Sequence, residues 1–270
     1  MINYQGTALI TGASSGIGEE FAHQLAARGM NLVLAARSLD KLNALASDLT
    51  KLYGIKADTI GVDLSTANGA ENLFLETETR NIAITLLVNN AGFATYGSFQ
   101  SLELAREQDQ IMLNVAALVS LTRLYLPDLL RCPGAAIINL ASTAAFQPLP
   151  YMAVYAASKA FVLSFSEALW AQLQGTNVTV LAFCPGPVKT RFLAVMGAAE
   201  AVIGKQDTPK LVVHKALQAL DKGKSYVIPR FDQYLLSCLI RILPRQLVAT
   251  LSKKVLQPRT TIMNNKSTVK

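Results

Sequence analysis

Apolar, β-branched-rich runs recur through most of the chain: Thr7 to Ile10, Leu32 to Ala35, Thr59 to Val62, Ile84 to Val88, Ala136 to Leu140, Val178 to Phe183 and Tyr226 to Ile228. Near-continuous hydrophobicity over four to six residues is the pattern of strands buried on both faces. Between the runs lie helix-length segments: Gly18 to Arg28, Leu39 to Leu52, Leu102 to Leu130, Met152 to Gln174 and Pro209 to Leu220. Strand alternating with helix predicts right-handed crossovers and an α/β fold: a single Rossmann-like, doubly wound domain whose parallel sheet of about seven strands carries helices on both faces. No linker, low-complexity stretch or internal repeat divides it. Residues 1–228 are expected to form the dinucleotide-binding catalytic domain, and 229–270 a basic amphipathic C-terminal extension belonging to that domain or to an interface.

Composition agrees with a buried core: 51% of the 270 residues are hydrophobic. Cys132, Cys184 and Cys238 are scattered and unpaired in pattern, so no disulfide set is expected and a reducing, cytoplasmic setting is. The two histidines, His23 and His214, are far apart, and neither a metal site nor a Ser-His-Asp triad can be assembled. The first residues, MINYQGTALITG, run directly into a strand and lack the pattern of a secretory signal. The late apolar run Leu235 to Ile240, ended by Arg241, falls short of the roughly 20 residues needed to span a bilayer.

Charge is informative once it is placed. The net +7 resides wholly in residues 229–270, where Arg230, Arg241, Arg245, Lys253, Lys254, Arg259, Lys266 and Lys270 face one acid, Asp232. A balanced catalytic portion argues against nucleic acid as a partner and gives the tail a separate task.

In such a sheet ligands bind beyond the carboxyl ends of the strands, so the informative residues follow each strand. After the first comes Thr11-Gly12-Ala13-Ser14-Ser15-Gly16-Ile17-Gly18, opening into a helix. Glycines permit a tight turn and close approach of a pyrophosphate to free N–H groups at the helix start. The spacing is G-x3-G-x-G, not the usual dinucleotide fingerprint. Where an acid would bind a ribose 2′-hydroxyl, the second strand ends in Ala35-Ala36-Arg37-Ser38. Arginine there suits a 2′-phosphate, so NADP(H) is expected over NAD(H).

Tyr155 and Lys159 are four apart in a helical segment and project from one face. A phenol is a weak acid–base group at neutral pH, and a nearby ammonium favours its ionised form. Ser142, just beyond the strand ending at Leu140, places a hydroxyl at the same sheet edge for a substrate carbonyl.

These residues closely resemble the short-chain dehydrogenase/reductase family: TGASSGIG at 11–18, Asp63 after the third strand, Asn89-Asn90-Ala91-Gly92, Asn114 in the long helix, Ser142, the YxxxK pair Tyr155 and Lys159, and PGPVKT from Pro185 to Thr190. The pieces span nearly all of the first 190 residues in the family's order. The resemblance implies that Asp63, with Leu64 beside it, meets the adenine, and that Asn90, Ala91 and Gly92 hold the fourth strand beside the adenosine ribose. It implies that Tyr155 transfers the proton, Lys159 binds the nicotinamide ribose and favours the tyrosinate, and Ser142 polarises the carbonyl. Asn114 would hold a water continuing the proton path, while Pro185, Gly186, Val188 and Thr190 would lie along the cofactor, the last two orienting the carboxamide. Homodimers or homotetramers follow by analogy only.

The expected substrate is a small-molecule carbonyl or alcohol, apolar or lipid-like, because Phe93, Phe146, Leu149, Phe192, Leu193 and Met196 fall near the reacting centre. Phe192 to Gly204, with Gly197-Ala198-Ala199, is expected to form a mobile lid. A 3-oxoacyl thioester reductase is the alternative enzyme; a non-catalytic NADP(H)-binding sensor or scaffold would have no reason to keep Ser142, Tyr155 and Lys159 together. For the tail, apolar residues at helical spacing from Phe231 to Leu256, broken at Pro244, leave two readings open: a segment resting on anionic membrane, or helices that close the pocket or pack on another subunit.

Overall fold

A computed structural model describes residues 2–192, 196 and 205–257. Seven parallel strands form one sheet: β1 (Thr7–Thr11), β2 (Asn31–Ala36), β3 (Ala57–Gly61), β4 (Ile84–Asn89), β5 (Ala135–Leu140), β6 (Val178–Phe183) and β7 (Tyr226–Val227). Their spatial order is β3-β2-β1-β4-β5-β6-β7. Every predicted strand is present, with ends displaced by a residue or two.

The helices divide between the two faces because successive strand residues point opposite ways. On one side Ala8 and Ile10 of β1 and Leu32 and Leu34 of β2 pack with α1 (Gly16–Ala26), α2 (Leu39–Tyr53) and α7 (Pro209–Asp221). There Phe21 meets Phe183 edge to face at 5.9 Å. On the other side Leu9, Val33, Leu87 and Ile137 pack against α3 (Gly69–Thr79) and α5 (Ala117–Arg131). Helix α6 (Ala153–Gln172) closes the β5–β6 end through Val162 and Leu163.

Two elements differ from expectation. Helix α3 carries only Ala70, Leu73 and Thr77 beyond its first residue as fully buried positions, too weak a stripe to stand out from sequence. The long predicted helix from Leu102 is divided: α4 (Leu104–Ile111) passes through a π-helical turn at Met112–Ala116 into α5. Such turns insert an extra residue per turn and commonly mark functional positions; this one carries the buried Asn114. Among the described residues, Leu104–Arg131 is the one helix long and apolar enough to cross a bilayer. Its inner face is committed to the core through Leu118, Leu121, Tyr125 and Leu129.

The tail forms two helices, α8 (Phe231–Ile242) and α9 (Arg245–Leu256), parted at Pro244, whose extended backbone and missing N–H end the first. Tyr96 donates its hydroxyl to Leu256 O at 2.7 Å, tying the end of α9 to the loop after β4.

The sheet's strand order reverses between β1 and β4, and one side chain holds those strand ends together. Thr11 Oγ1 accepts N–H bonds from Asn90 at 2.9 Å and Ala91 at 3.0 Å, while Asn90 Nδ2 donates to Thr11 O at 2.8 Å. Thr11 is 1% exposed, so water cannot replace it. Thr11→Val keeps the shape but strands two donors; urea unfolding should show a loss of about 2–3 kcal/mol, against well under 1 for the exposed Thr250→Val.

Candidate active site

A single cleft of about 820 Å³ opens beyond the carboxyl ends of the strands, at the reversal of strand order. Gly12, Ser14, Ser15, Gly16 and Ile17 line its floor beside Arg37, Asp63 and Leu64. Asn90, Ala91 and Gly92 follow, then Ser142, Tyr155 and Lys159, with Pro185, Gly186, Val188 and Thr190 across from them. Residues predicted from five separate loops thus converge on one cavity.

The turn before α1 is shaped for an anion. Gly12 and Gly16 both take φ of 65°, a conformation side chains resist. Gly18 does not line the cleft; a Cβ there would stand 2.4 Å from Gly12 O, so the helix can press against the turn only with glycine at this place. Ser15 is the N-cap yet makes no side-chain cap bond, which leaves the first N–H groups of α1 available to a ligand. At the far edge Arg37 is exposed. Partial burial works to raise the Asp63 carboxyl, but bonds from the Ser65 N–H and hydroxyl and the Arg37 charge hold it below its ordinary range.

The catalytic candidates sit on two elements. Ser142 ends the β5 loop as the cap of a short 3₁₀ turn, Thr143–Phe146; its Oγ accepts from Ala144 N–H at 3.1 Å and reaches Pro185 O at 3.4 Å. Tyr155 and Lys159 lie on the first turns of α6. Burial pushes the Tyr155 phenol above its ordinary value, and a hydrogen bond with Ser142 draws it partly back. The expected depression by Lys159 is not what dominates: the ammonium lies 5.9 Å from the ring centroid and donates to Leu140 O at 2.6 Å. Burial itself pushes Lys159 down to about 8, with Cys184 opposing. A phenol that keeps its proton at neutral pH suits proton donation.

Asn114, 1% exposed, grips the loop after β4: its Nδ2 donates to Phe93 O at 3.0 Å and Ser158 Oγ at 3.1 Å, and its Oδ1 accepts from Phe93 N–H at 3.1 Å. It does not line the cleft, yet a Cβ on Gly92 would lie 2.8 Å from Asn114 Oδ1 and 3.6 Å from Lys159 Nζ, which places both atoms around one small space.

Of the expected substrate contacts, Phe93, Leu149, Phe192 and Met196 line the cleft, the Phe192 ring 5.8 Å from that of Tyr155. Phe146 instead turns away from the lining: it packs on Tyr226 at 6.2 Å with the Arg241 guanidinium 5.0 Å from its ring centre. Apolar contact with β7 and α8 outweighs facing the cavity. Leu193 and all of the expected lid except Phe192 and Met196 lie outside the described residues.

For the tail, sequence reasoning offered closure of the pocket as one reading without naming the residues that line it. Gln233, Leu236, Ser237, Leu239, Ile240 and Leu243 of α8 and its following loop line the cleft, as do Val248, Leu251, Ser252, Val255 and Leu256 of α9. Gln233 presses on Gly186, where a Cβ would fall 2.3 Å from its Nε2, and its Oε1 is buried without a partner. Nothing local marked this contact; it exists only in three dimensions. Also missed was a buried relay behind the site: Asn89 Nδ2 donates to Asn139 Oδ1 at 2.9 Å, and Asn139 Nδ2 to Ser166 Oγ at 2.9 Å. Its signal was legible as polar residues inside otherwise apolar strands.

A family model described as short chain dehydrogenase matches residues 6–201. The chain is a short-chain dehydrogenase/reductase. Among curated relatives of this family, a very-long-chain 3-oxoacyl-CoA reductase of Phaeosphaeria nodorum is 36% identical over 177 residues, which are 64% of this chain and 52% of that protein. The chain thus spans about half the length of the curated relatives it matches. Among solved structures, a short-chain dehydrogenase from Sphingobium yanoikuyae in complex with NADPH has 30% identity and a TM-score of 0.79, covering 88% of this chain and 96% of that one. A short-chain dehydrogenase/reductase from Burkholderia phymatum in complex with NAD has 25% identity and a TM-score of 0.78, over 88% and 94% of the two chains.

In this short-chain dehydrogenase/reductase the buried Lys159 carries a stability cost that titrates. Its folded-state value of about 8 lies below the ordinary 10.5, so the folded protein binds this proton less well than the unfolded chain. The cost is therefore full below about pH 8 and disappears as pH approaches that of a free lysine. Lys159→Met should stabilise the protein at pH 7 by about 1–3 kcal/mol, and the gain should vanish by about pH 10. Chemical denaturation of both proteins across that range checks it.

Proposed function

We propose that this chain is an NADP(H)-dependent reductase that converts a bulky apolar ketone or aldehyde to an alcohol, with Tyr155 as proton donor. The observation that carries this reading is the position of Ser142, Tyr155 and Lys159 at the junction of two regions of one cleft. On one side are the glycine turn and Arg37; on the other is an apolar chamber roofed by α8 and α9.

The residues present fit a nicotinamide dinucleotide. The uncapped start of α1 and the glycine turn would hold the pyrophosphate, Arg37 a 2′-phosphate, and Asp63 with Leu64 the adenine. Val188 and Thr190 would orient the carboxamide end, with Lys159 on the ribose. When bound, the dinucleotide would supply the hydride.

The protein's own part is placement and proton management. Ser142 Oγ donates a hydrogen bond to the carbonyl oxygen and so draws charge toward it. Tyr155 gives its phenolic proton to that oxygen as negative charge grows, because burial has kept the proton in place. The Lys159 ammonium stabilises the tyrosinate left behind. Asn114 fixes the loop that carries Phe93 and holds an acceptor close to Lys159. The walls contributed by Leu236, Leu243, Val248 and Leu251 exclude water and select for apolar substituents.

A long-chain 3-oxoacyl thioester is the second reading, favoured by the apolar extent of the chamber and by the activity named for the fungal relative. The chain's residues 1–228 act as the catalytic domain in both readings, and α8 and α9 of the extension beyond them complete its pocket. Self-association is part of the proposal too: Ile111 and Phe161 stand 46% and 42% exposed around one shallow hollow between α4 and α6.

The test is oxidation of NADPH, against NADH, with apolar ketones, aldehydes and 3-oxoacyl thioesters. Wild type should turn over with NADPH, and Tyr155→Phe should lose about 10²–10⁴-fold in kcat. Tight NADPH binding without turnover across the panel would move the reading to a sensor. Arg37→Ala should weaken NADPH binding by about 10–100-fold and leave NADH nearly unchanged; a wild-type preference for NADH would overturn the assignment of Arg37.

A further inference from the structure

We propose that the outer face of the α8–α9 hairpin docks on an anionic lipid bilayer, with the mouth of the cleft turned toward the lipid. The docking stands apart from the reductase reading; only the delivery of substrate rests on it.

The two sides of α8 are different surfaces. Gln233, Ser237 and Ile240 turn inward and line the cleft. Phe231, Leu235, Cys238 and Ile242 follow at i, i+4, i+7 and i+11, one stripe along the whole helix. Nothing in the described chain covers it: Phe231 is 74% exposed, Leu235 51% and Ile242 79%. Among the described residues, Phe231 stacks on Tyr234 of the same helix. A continuous apolar stripe of three turns is costly in water and marks a surface that meets something apolar.

Charge decides what that is. Beyond residue 228 the sequence carries eight basic side chains and one acid, and that acid, Asp232, is already held by Arg230. Arg241, Arg245, Lys253 and Lys254 are exposed on the hairpin itself. An apolar stripe flanked by unopposed cations matches an anionic leaflet: apolar side chains enter the acyl boundary while the cations remain among the headgroups.

The cleft points to the same partner. Leu236, Leu239, Leu251 and Val255 line the cavity and yet are 53%, 49%, 48% and 56% exposed. The apolar lining therefore runs out to the protein surface between the two helices, beside the stripe. An apolar substrate dissolved in a bilayer could pass into the chamber without crossing water.

The test is flotation of the full chain with vesicles of phosphatidylcholine alone and of phosphatidylcholine with phosphatidylglycerol. Two variants accompany it: Phe231→Gln/Leu235→Gln/Ile242→Gln, and Arg245→Gln/Lys253→Gln/Lys254→Gln. All changed residues lie outside the cleft lining, and an unaltered thermal midpoint shows that each variant is folded. Wild type should float with the anionic vesicles, bind the neutral ones far less and be released by salt. Each variant should lose about tenfold or more in partitioning. Wild type that stays unbound, or an apolar-stripe variant that floats like wild type, overturns the proposal. So does a wild-type dimer that light scattering finds monomeric in the stripe variant while neither floats, because the face would then meet a second copy. Flotation without any NADPH turnover would leave the docking standing and defeat the reductase reading instead.

Discussion

Everything in the site hangs from the seam between β1 and β4, where chain direction requires helices to leave on opposite faces of the sheet and so opens a crevice. A crevice formed this way is a structural weakness, because the last backbone groups of both strands lose neighbours there. Thr11 resolves it with one hydroxyl, accepting two N–H bonds from Asn90 and Ala91 and donating to Val88 O at 3.3 Å. Asn90 returns the bond through its own amide. The glycine turn on one side and the loop bearing Gly92 and Phe93 on the other are thereby held as a single rigid edge. Asn114 continues the brace by gripping Phe93 from both its N–H and its carbonyl, and a π-helical turn is the local means of aiming that side chain inward.

The parallel sheet, the residues of the glycine turn and the Ser-Tyr-Lys set were legible because each rests on local pattern. Buried parallel strands read as apolar runs, and the ligand-facing residues fall just beyond them. Helix α3 was invisible for the complementary reason: only three of its later positions are fully buried, too few to impose a period. Phe146 shows another limit. Its place in the chain puts it beside Ser142, but where an aromatic ring turns is decided by what it can pack on, and Tyr226 with Arg241 offered more than the cavity. The tail's share of the lining was illegible in detail, since no spacing in the sequence ties Gln233 to Gly186 or Tyr96 to Leu256. Both tail readings left open by its amphipathic pattern concern real surfaces: the inner side closes the cleft, and the outer side remains uncovered.

Electrostatics shows how the site departs from what stability alone would choose. Burying an ammonium is costly, and Lys159, 4% exposed, has a single described protein acceptor, Leu140 O. The same desolvation raises the Tyr155 phenol and lowers the lysine to about 8, so burial disfavours the charged form of each and leaves the phenol holding its proton more tightly than the ammonium does. Shared burial, rather than a direct lysine–phenol contact, sets the proton affinities of both groups. Two groups of ordinary surface chemistry, four residues apart, are both removed from water by the fold. Tyr155, Ser158 and Lys159 on the first two turns of α6 rest on the close-packed β5–β6 end, which supplies the rigidity that keeps them in place.

The extension gives this arrangement its boundary. Without α8 and α9, Ser142, Tyr155 and Lys159 would face open solvent, where a hydrogen bond from Ser142 competes with water and loses most of its effect. With them, one wall of the chamber is made of leucine and valine side chains that are half inside the cleft and half outside it. Apolar side chains of that kind are poorly matched by water on either side. The two sides of these helices therefore impose a joint requirement: whatever covers the outer stripe also borders the mouth of the cleft that leads to Tyr155, so the outer surface and the inner lining are set by the same short pair of helices.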